Sequence, residues 1–354
     1  MNDAMSSVAP RVLSIATTNP GHAYTNEQLI ELFGVNDSKL VKLFRNSRIS
    51  RRYLELPQAE SNGRIEAESS SELAAKHKRE AVAAGVDATL RALAAAGLQS
   101  EDLDYIACVT STGYLCPGLS AYLAKALGLR PDVFRLDVVG MGCSAGLNGM
   151  QPLVNYCRLN PTRHALLVCV EICSASYVFD TTIRTAVVNS LFGDGAVAAV
   201  FGPRGESSTA GPEVLDFRSH IITDHIDAMR FDHVDGKYSF YLGRDIPYVI
   251  GANVKHPIDA LLSQNNLRMR DIAHWIFHSG GRKVIDSIKF NLGLSSHALR
   301  HTESVLADMG NVSSGSFLFS HRRLMEEQVT APGDYTVMVT MGPGASIECC
   351  LARF

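Results

Sequence analysis

Three residue types that together support acyl-transfer chemistry, a cysteine, a histidine and an asparagine, each lie beside an apolar segment of the sequence. Cys143 follows the strand-like segment FRLDVVG and begins the small-residue run CSAGLNGM. A thiol at a strand-to-helix junction lies near a helix N-terminus, where the positive end of the helix dipole favours the thiolate. Most cysteines in apolar sequences are inert core residues. The junction makes Cys143 the candidate nucleophile.

His278 ends the strand-like segment HWIFH and is followed by a Ser-Gly-Gly turn, which would present its imidazole at a sheet edge. A histidine alone is more often a satisfied structural group than a catalytic one. His274 and His278 also have the spacing of two metal ligands on one helix face. On a strand the two are roughly 13 Å apart, too far for one ion, so the sequence predicts no metal site.

Asn311 lies at the start of the helix-like segment GNVSSGSFLF. Its side chain has two possible roles, a helix N-cap or an amide donor to a reacting oxygen, and the residue alone leaves both open. Together with Cys143 and His278, it completes a nucleophile with an oxyanion-stabilising pair.

Composition limits the kind of protein that carries these residues. The chain has 354 residues, 46% apolar, with a formal charge of −3, so it can bury a large core and has no excess charge for broad nucleic-acid or membrane-surface binding. The N-terminal sequence has no basic region followed by an apolar one, which predicts a cytoplasmic protein. Eight cysteines without a CxxC pair predict reduced thiols.

Strand-like and helix-like segments alternate along the chain. This rhythm predicts an α/β protein with sheets covered by helices. The strand-like segments include VLSIAT, YIACVT and FRLDVV, and the predicted helices are Asn36–Arg45, Ser71–Ala96 and Ser120–Leu127.

The sequence also repeats itself. The segment Leu98–Leu103, which leads into YIACVTS, resembles Leu267–Ile272, which leads into HWIFHSG, at an offset of 271 − 102 = 169. The same offset carries Gly142–Gly146 onto Asn311–Gly315, which puts Asn311 at the repeat position adjacent to that of Cys143. A third similarity relates FGDGAVAAV to MGPGASIEC, at an offset of 341 − 192 = 149.

Three similarities in one order predict a duplicated fold with a pseudo-twofold axis. We expect two βαβαβ-type halves, residues 1–205 with the cysteine and residues 206–354 with the histidine and asparagine. The active site is then expected between the halves.

Longer motifs relate the chain to a known family. The runs GMGCSAGLNG, HSGGRKVIDSI, RHTESVLADMGNVSSGSFLF and GDYTVMVTMGPGASIE resemble the chalcone synthase-like type III polyketide synthases, which have the thiolase fold. The resemblance covers nearly the whole chain. It implies that Cys143 accepts an acyl group, and that His278 and Asn311 bind the thioester carbonyl oxygen and the enolate formed by decarboxylation of malonyl-CoA.

Within that family, the segments RTAVVNSLFGDG and IITDHIDAMRFD and the motif HSGG are most similar to a bacterial subgroup. That subgroup forms 3,5-dihydroxyphenylacetyl-CoA. The resemblance implies iterative Claisen condensation of four malonyl-CoA units. It implies CoA thioester substrates, no further cofactor, and accessory dehydratase enzymes as possible partners in aromatisation.

The resemblance also suggests substrate-binding residues. Phe192 matches an aromatic gatekeeper between the CoA tunnel and the cavity, although a core aromatic is the ordinary interpretation. Cys116 stands where related enzymes place a methionine that crosses the interface of a homodimer. Lys39, Lys42 and Arg45 lie on the helix that binds CoA phosphates in the family, and a solvated helix face is an equally good interpretation.

Other functions compete with this one. An initiating ketoacyl synthase shares the three residues but has Asn and Arg shortly after its histidine, where this chain has Gly280, Gly281 and Arg282. A cysteine hydrolase would use water as acceptor and release no CO₂, and a non-catalytic assembly partner would lack the triad. A synthase of the same family with another starter would make pyrones or resorcinols.

Overall fold

The fold was analysed in a computed structural model. The described residues are 9–59, 61, 63–176, 180–203, 211–234 and 237–354. The predicted boundary between residues 205 and 206 lies outside the described residues.

The first part of the chain alternates strands and helices as the sequence predicts. Its elements are β1 (Arg11–Thr18), β2 (His22–Tyr24), α1 (Asn26–Leu32), α2 (Ser38–Arg45), β3 (Arg52–Leu54), α3 (Ser70–Ala96), β4 (Leu103–Val109), α4 (Leu119–Leu127), β5 (Phe134–Val138), α5 (Ala145–Leu159), β6 (His164–Glu171), α6 (Ile183–Asn189) and β7 (Gly195–Gly202).

The second part repeats this pattern with an added hairpin. Its elements are β8 (Glu213–Ile221), β9 (Met229–Val234), β10 (Lys237–Leu242), α7 (Ile246–Asn253), α8 (Lys255–Gln264), β11 (Ile272–Phe277), α9 (Arg282–Leu292), α10 (Arg300–Met309), α11 (Ser316–Glu327), β12 (Tyr335–Gly342) and β13 (Ser346–Arg353).

The main sheet shows the predicted duplication directly. Its nine strands run in the order β11-β12-β13-β8-β1-β7-β6-β4-β5. The order is symmetric about the junction of β8 and β1. Strands β13, β12 and β11 follow β8 outward in the same positions in which β7, β6 and β4 follow β1. Directions agree as well: β4 pairs with β6, and β11 with β12, in parallel, whereas β6 pairs with β7, and β12 with β13, antiparallel. The predicted duplicated α/β fold is confirmed.

The offset between the halves changes along the chain. The 3₁₀ turns before β4 and β11 begin at Ser100 and Met269, an offset of 269 − 100 = 169, as the sequence predicts. The turns before α5 and α11 begin at Gly142 and Ser313, an offset of 313 − 142 = 171. Asn311 therefore lies two residues before its turn, and its predicted equivalence to the neighbour of Cys143 is wrong by two residues.

Helix α3 covers one face of the sheet and shows how local sequence defines an element. Ser69 caps its N-terminus in a capping box with Glu72, and Gly97 ends it in the left-handed conformation with φ 70°. Small buried side chains on one face let the helix pack closely against β1 and β7. These residues are Ala81, Ala84, Ala88 and Ala92.

Helices α5 and α11 are largely buried, and they contact the sheet through β4 and β6 and through β11 and β12, respectively. Their first turns touch: a Cβ on Gly146 would lie 2.3 Å from the carbonyl oxygen of Ser314 and 2.5 Å from a ring carbon of Phe317. Only glycine allows this separation. The contact brings Cys143 and Asn311, which precede the two helices, to one place.

Replacing Gly146 with alanine should therefore lower the free energy of unfolding by about 1–3 kcal/mol, because backbone must move to admit the methyl group. Gly149→Ala in the same helix is the control, since the nearest neighbours of its Cβ would be side-chain methyl groups, those of Leu167 and Val109 at 3.1 Å and that of Val138 at 3.6 Å. Denaturant unfolding measures both variants. Equal losses would contradict the backbone contact as the cause.

Candidate active site

Cys143 lies in the 3₁₀ turn Gly142–Ser144, directly before α5, and its side chain is buried. Its sulfur is 3.4 Å from the Ser313 hydroxyl oxygen, a contact between the two halves. Burial raises the pKa of Cys143 to about 12, against the opposing effect of the Ser313 hydrogen bond. Burial therefore favours the neutral thiol in the free protein. The effect of burial on this pKa opposes the stabilisation of a thiolate that the sequence analysis expects from the helix N-terminus.

His278 directly follows β11, and its backbone N–H donates to the Val339 carbonyl at 2.9 Å, which extends the pairing with β12. Its Nδ1 is hydrogen-bonded to the Ser316 hydroxyl, which fixes the ring. Burial lowers the pKa of His278 to about 3, while a hydrogen bond to the Ser313 backbone acts in the opposite direction. The imidazole is neutral at physiological pH and is able to accept a proton.

Asn311 is buried, and its backbone is hydrogen-bonded to the residues immediately before and after Phe192. Its N–H donates to Leu191 at 2.8 Å, and its carbonyl accepts from Gly193 at 3.1 Å. The side-chain oxygen accepts the Ser313 N–H at 2.8 Å, so Asn311 caps a free amide of the turn before α11 from the position before the N-cap residue, which is Val312. In the described part of the chain, the amide nitrogen has no protein acceptor. The cap thus orients Asn311 and leaves its N–H₂ group as a donor, so the two roles left open by the sequence are compatible.

The sequence analysis did not identify Glu171 as a site residue. Glu171 is the last residue of β6 and the one charged residue in this apolar segment. This fully buried carboxylate accepts hydrogen bonds from the Ser111 N–H and hydroxyl, both at 2.9 Å, and from the Ser314 hydroxyl. The Ser111 hydroxyl lies 3.2 Å from that of Ser313, which contacts Cys143. A chain of two hydroxyls therefore joins Glu171 to the thiol. Burial raises the pKa of Glu171.

Phe192 is buried in the same apolar cluster as Cys143. Its ring packs edge-to-face on Phe240, with centroids 5.7 Å apart and planes at 84°, and Phe240 contacts Phe231 at 4.9 Å. Sequence reasoning missed Phe240 because strand β10 gives no local signal of this contact. The rings form an aromatic pair close to the nucleophile.

A cavity of about 110 Å³ lies beside Phe192 and is also lined by Arg52, Cys173, Ser174 and Val188. None of the three candidate catalytic residues is among the described residues that line it. The cavity is therefore next to the aromatic pair rather than at the thiol.

The other predicted binding residues lie on the surface. Lys39 and Lys42 are exposed on α2, whereas the guanidinium of Arg45 forms two 2.8 Å hydrogen bonds with Glu27. Arg45 is thus already paired with a carboxylate. Cys116 is exposed in the loop before α4. These four residues are not brought to the triad in the single chain.

Two negative findings concern the described residues only. No helix among them combines the length and apolar character needed to cross a bilayer. In the same residues, no three His, Cys, Asp or Glu side chains are grouped so as to hold a metal ion.

Comparison with known proteins defines the class. Residues 6–204 match the N-terminal domain of chalcone and stilbene synthases, and residues 224–354 match their C-terminal domain. The chain belongs to this family: it is a type III polyketide synthase, a condensing acyltransferase with the thiolase fold.

Individual relatives are more specific. The chain is 47% identical to a 3,5-dihydroxyphenylacetyl-CoA synthase of Streptomyces toyocaensis over 98% of this chain and 90% of that protein. It is also 47% identical to one of Amycolatopsis orientalis, over 97% and 93%. The crystal structure of PKS-I from the brown alga Ectocarpus siliculosus superimposes with a TM-score of 0.90 at 28% identity, covering 98% of both chains.

The geometry of Asn311 generates a prediction that separates capping from catalysis. Asn311→Ala should lower the free energy of unfolding by about 1 kcal/mol through the lost cap, and should slow CO₂ release from malonyl-CoA by about 10²-fold through the lost donor. Ser69→Ala, which removes the cap of α3, should lose similar stability without slowing CO₂ release. If Asn311→Ala releases CO₂ at the wild-type rate, its role is capping alone.

Proposed function

We propose that this protein condenses four malonyl-CoA units and cyclises the product to 3,5-dihydroxyphenylacetyl-CoA. The observation that carries the proposal is the 47% identity, over nearly the whole chain, to proteins named for that product. The arrangement of Cys143, His278 and Asn311 supports the chemistry.

Acyl loading begins from two neutral groups in this proposal. The imidazole of His278 takes the proton of the Cys143 thiol, and the thiolate attacks the thioester carbonyl of the acyl-CoA. A sulfur–carbon bond to Cys143 forms, the carbon–sulfur bond to CoA breaks, and CoA leaves with a proton as the free thiol. Burial opposes separate charges on these groups, so this route requires that the attraction between the thiolate and the imidazolium at close range offsets their desolvation.

Decarboxylation then requires stabilisation of an oxyanion more than removal of a proton. The carbon–carbon bond of malonyl-CoA breaks, CO₂ leaves, and the electron pair forms an enolate whose oxygen accepts hydrogen bonds from Asn311 and His278. The enolate carbon attacks the acyl carbonyl on Cys143, and the cysteine sulfur leaves. The amide nitrogen of Asn311, which has no acceptor among the described residues, and the ring of His278, which Ser316 fixes, support these roles.

Four two-carbon units supply the eight carbons of the proposed acyl product. An intramolecular aldol reaction closes the ring, and loss of water makes it aromatic, a step that accessory dehydratase enzymes would accelerate. Only CoA thioesters take part in the proposed sequence, without a prosthetic group. Phe192 would separate the acyl cavity from the CoA entrance, and Lys39, Lys42 and Arg45 would contact the CoA phosphates.

We also propose a homodimer in the cytoplasm. The dimer is supported by strand β5 at the end of the nine-stranded sheet and by exposed apolar side chains on and near it. Phe134 is 61% exposed, Val139 56% and Tyr114 69%. Helix α4, which directly follows the loop with Cys116, is joined to β5, since the Asp137 carboxylate on that strand accepts the N–H of Ser120 at 2.9 Å. In a dimer through this face, Cys116 would approach the partner.

The test is to supply ¹³C-labelled malonyl-CoA as the sole acyl donor and to identify products before and after thioester hydrolysis. An aromatic eight-carbon acid with label from four units is expected, and Cys143→Ala should form neither this product nor an acyl adduct. A pyrone, an alkyl resorcinol or a strict need for another starter would contradict the proposed product. If water is the sole acceptor of the acyl group and no CO₂ is released, the result would instead favour a cysteine hydrolase. A single condensation onto a carrier protein would favour an initiating ketoacyl synthase.

A further inference from the structure

The two segments that carry the subgroup resemblance, RTAVVNSLFGDG and IITDHIDAMRFD, meet in the fold. The first contributes Arg184, in the first turn of α6, and the second contributes Arg230 and Asp232, on strand β9. The two segments lie far apart in sequence, and the ion pair between Arg184 and Asp232 joins the helix that leads to Phe192 to the β9–β10 hairpin.

The contacts are specific. Arg184 Nη2 lies 2.7 Å from Asp232 Oδ2, and Arg230 Nε lies 2.8 Å from Asp232 Oδ1. Both guanidinium groups lie over the ring of Tyr241, at 5.5 Å and 4.4 Å from its centroid. We call Arg184, Arg230, Asp232 and Tyr241 the arginine latch.

The latch acts directly on the aromatic pair. Arg184 Nε donates to the backbone carbonyl of Phe240 at 3.1 Å, so one guanidinium holds both the Asp232 carboxylate and the Phe240 backbone. Helix α6 ends at Asn189, three residues before Phe192. Arg184 therefore ties the helix that leads to Phe192 to the strand that carries Phe240. Their rings are the edge-to-face pair in the apolar cluster with Cys143.

We propose that the arginine latch is a specificity determinant: it sets the size of the acyl group that reaches Cys143 by holding Phe240 against Phe192. This inference rests on the proposed acyl-CoA chemistry. The planar fork of arginine suits the role, because lysine cannot bind a carboxylate and a carbonyl in the same geometry. Arg184 is a positioning residue, since it acts on the aromatic pair through its hydrogen bond to the Phe240 backbone.

The experiment measures acyl loading without malonyl-CoA. Wild type and Arg184→Met are mixed with acetyl-, hexanoyl- or decanoyl-CoA, and the rate of adduct formation on Cys143 is followed by intact-protein mass spectrometry. Loosening the aromatic pair should raise the ratio of decanoyl to acetyl loading by about tenfold, the scale on which pocket shape discriminates apolar groups. Arg184→Lys should lie between wild type and Arg184→Met.

A matched control separates this role from general stability. Arg323→Met removes an ion pair with Asp308, in which the charged groups are 2.9 Å apart and the side chains of Arg323 and Asp308 are 26% and 35% exposed. The pair of Arg184 and Asp232 is similar, with a distance of 2.7 Å and side-chain exposures of 35% and 29%. It should leave the loading ratio unchanged. If Arg184→Met does not fold, Asp232→Asn carries the test, because it removes the charge that holds the Arg184 guanidinium in position against the Phe240 carbonyl.

An unchanged ratio in folded Arg184→Met or Asp232→Asn, or an equal change for all three acyl donors, would overturn the proposal. The proposed function fails in a different measurement. If wild type loads acyl groups but releases no CO₂ from malonyl-CoA, the condensation is contradicted, while the loading ratios still decide the role of the latch.

Discussion

The site depends on the close approach of two helix N-termini, those of α5 and α11. Gly146 packs against the carbonyl oxygen of Ser314, and the Cys143 sulfur touches the Ser313 hydroxyl at 3.4 Å. Because each helix belongs to a different half, the duplicated fold places a nucleophile from one half beside the polar groups of the other. Two further hydrogen bonds, from His278 to Ser316 and from Asn311 to Ser313, hold the side chains of His278 and Asn311 in place beside the contact between Cys143 and Ser313.

Burial determines which protonation states are favoured for Cys143 and His278. The same desolvation that raises the pKa of Cys143 to about 12 lowers the pKa of His278 to about 3. Burial therefore favours the uncharged form of both groups in the free protein, and the proposed function then requires a proton transfer between them rather than a standing thiolate. A buried carboxylate at Glu171, linked through Ser111 and Ser313, also disfavours a second negative charge on the sulfur.

Sequence reasoning succeeded where the signal was periodic or repeated. The predicted strands YIACVT and FRLDVV correspond to β4 and β5, and the duplication appears in the strand order. It failed where the cause lies in distant residues. Glu171 meets Ser314 143 positions away, and Phe240 meets Phe192 from another element, so neither contact has a local pattern. The two-residue change in offset before α11 was hidden because small residues fill both turns.

The electrostatic environment of a residue is hidden from the sequence for a related reason. A helix N-terminus is visible in a sequence, but the depth at which its first turn is buried is not, and burial determines the state of Cys143. Likewise, Arg45 has the position of a ligand-binding cation on α2, yet its pairing with Glu27 follows from the packing of α1 against α2.

The most direct test of this account is the thiolate absorbance near 240 nm of the free protein, followed against pH, with the Cys143→Ala variant subtracted. A buried neutral thiol predicts no Cys143-dependent step between about pH 5 and about pH 9, since its pKa lies far above that of an ordinary cysteine. A step below about pH 7 would show a resident thiolate–imidazolium pair and would contradict the account.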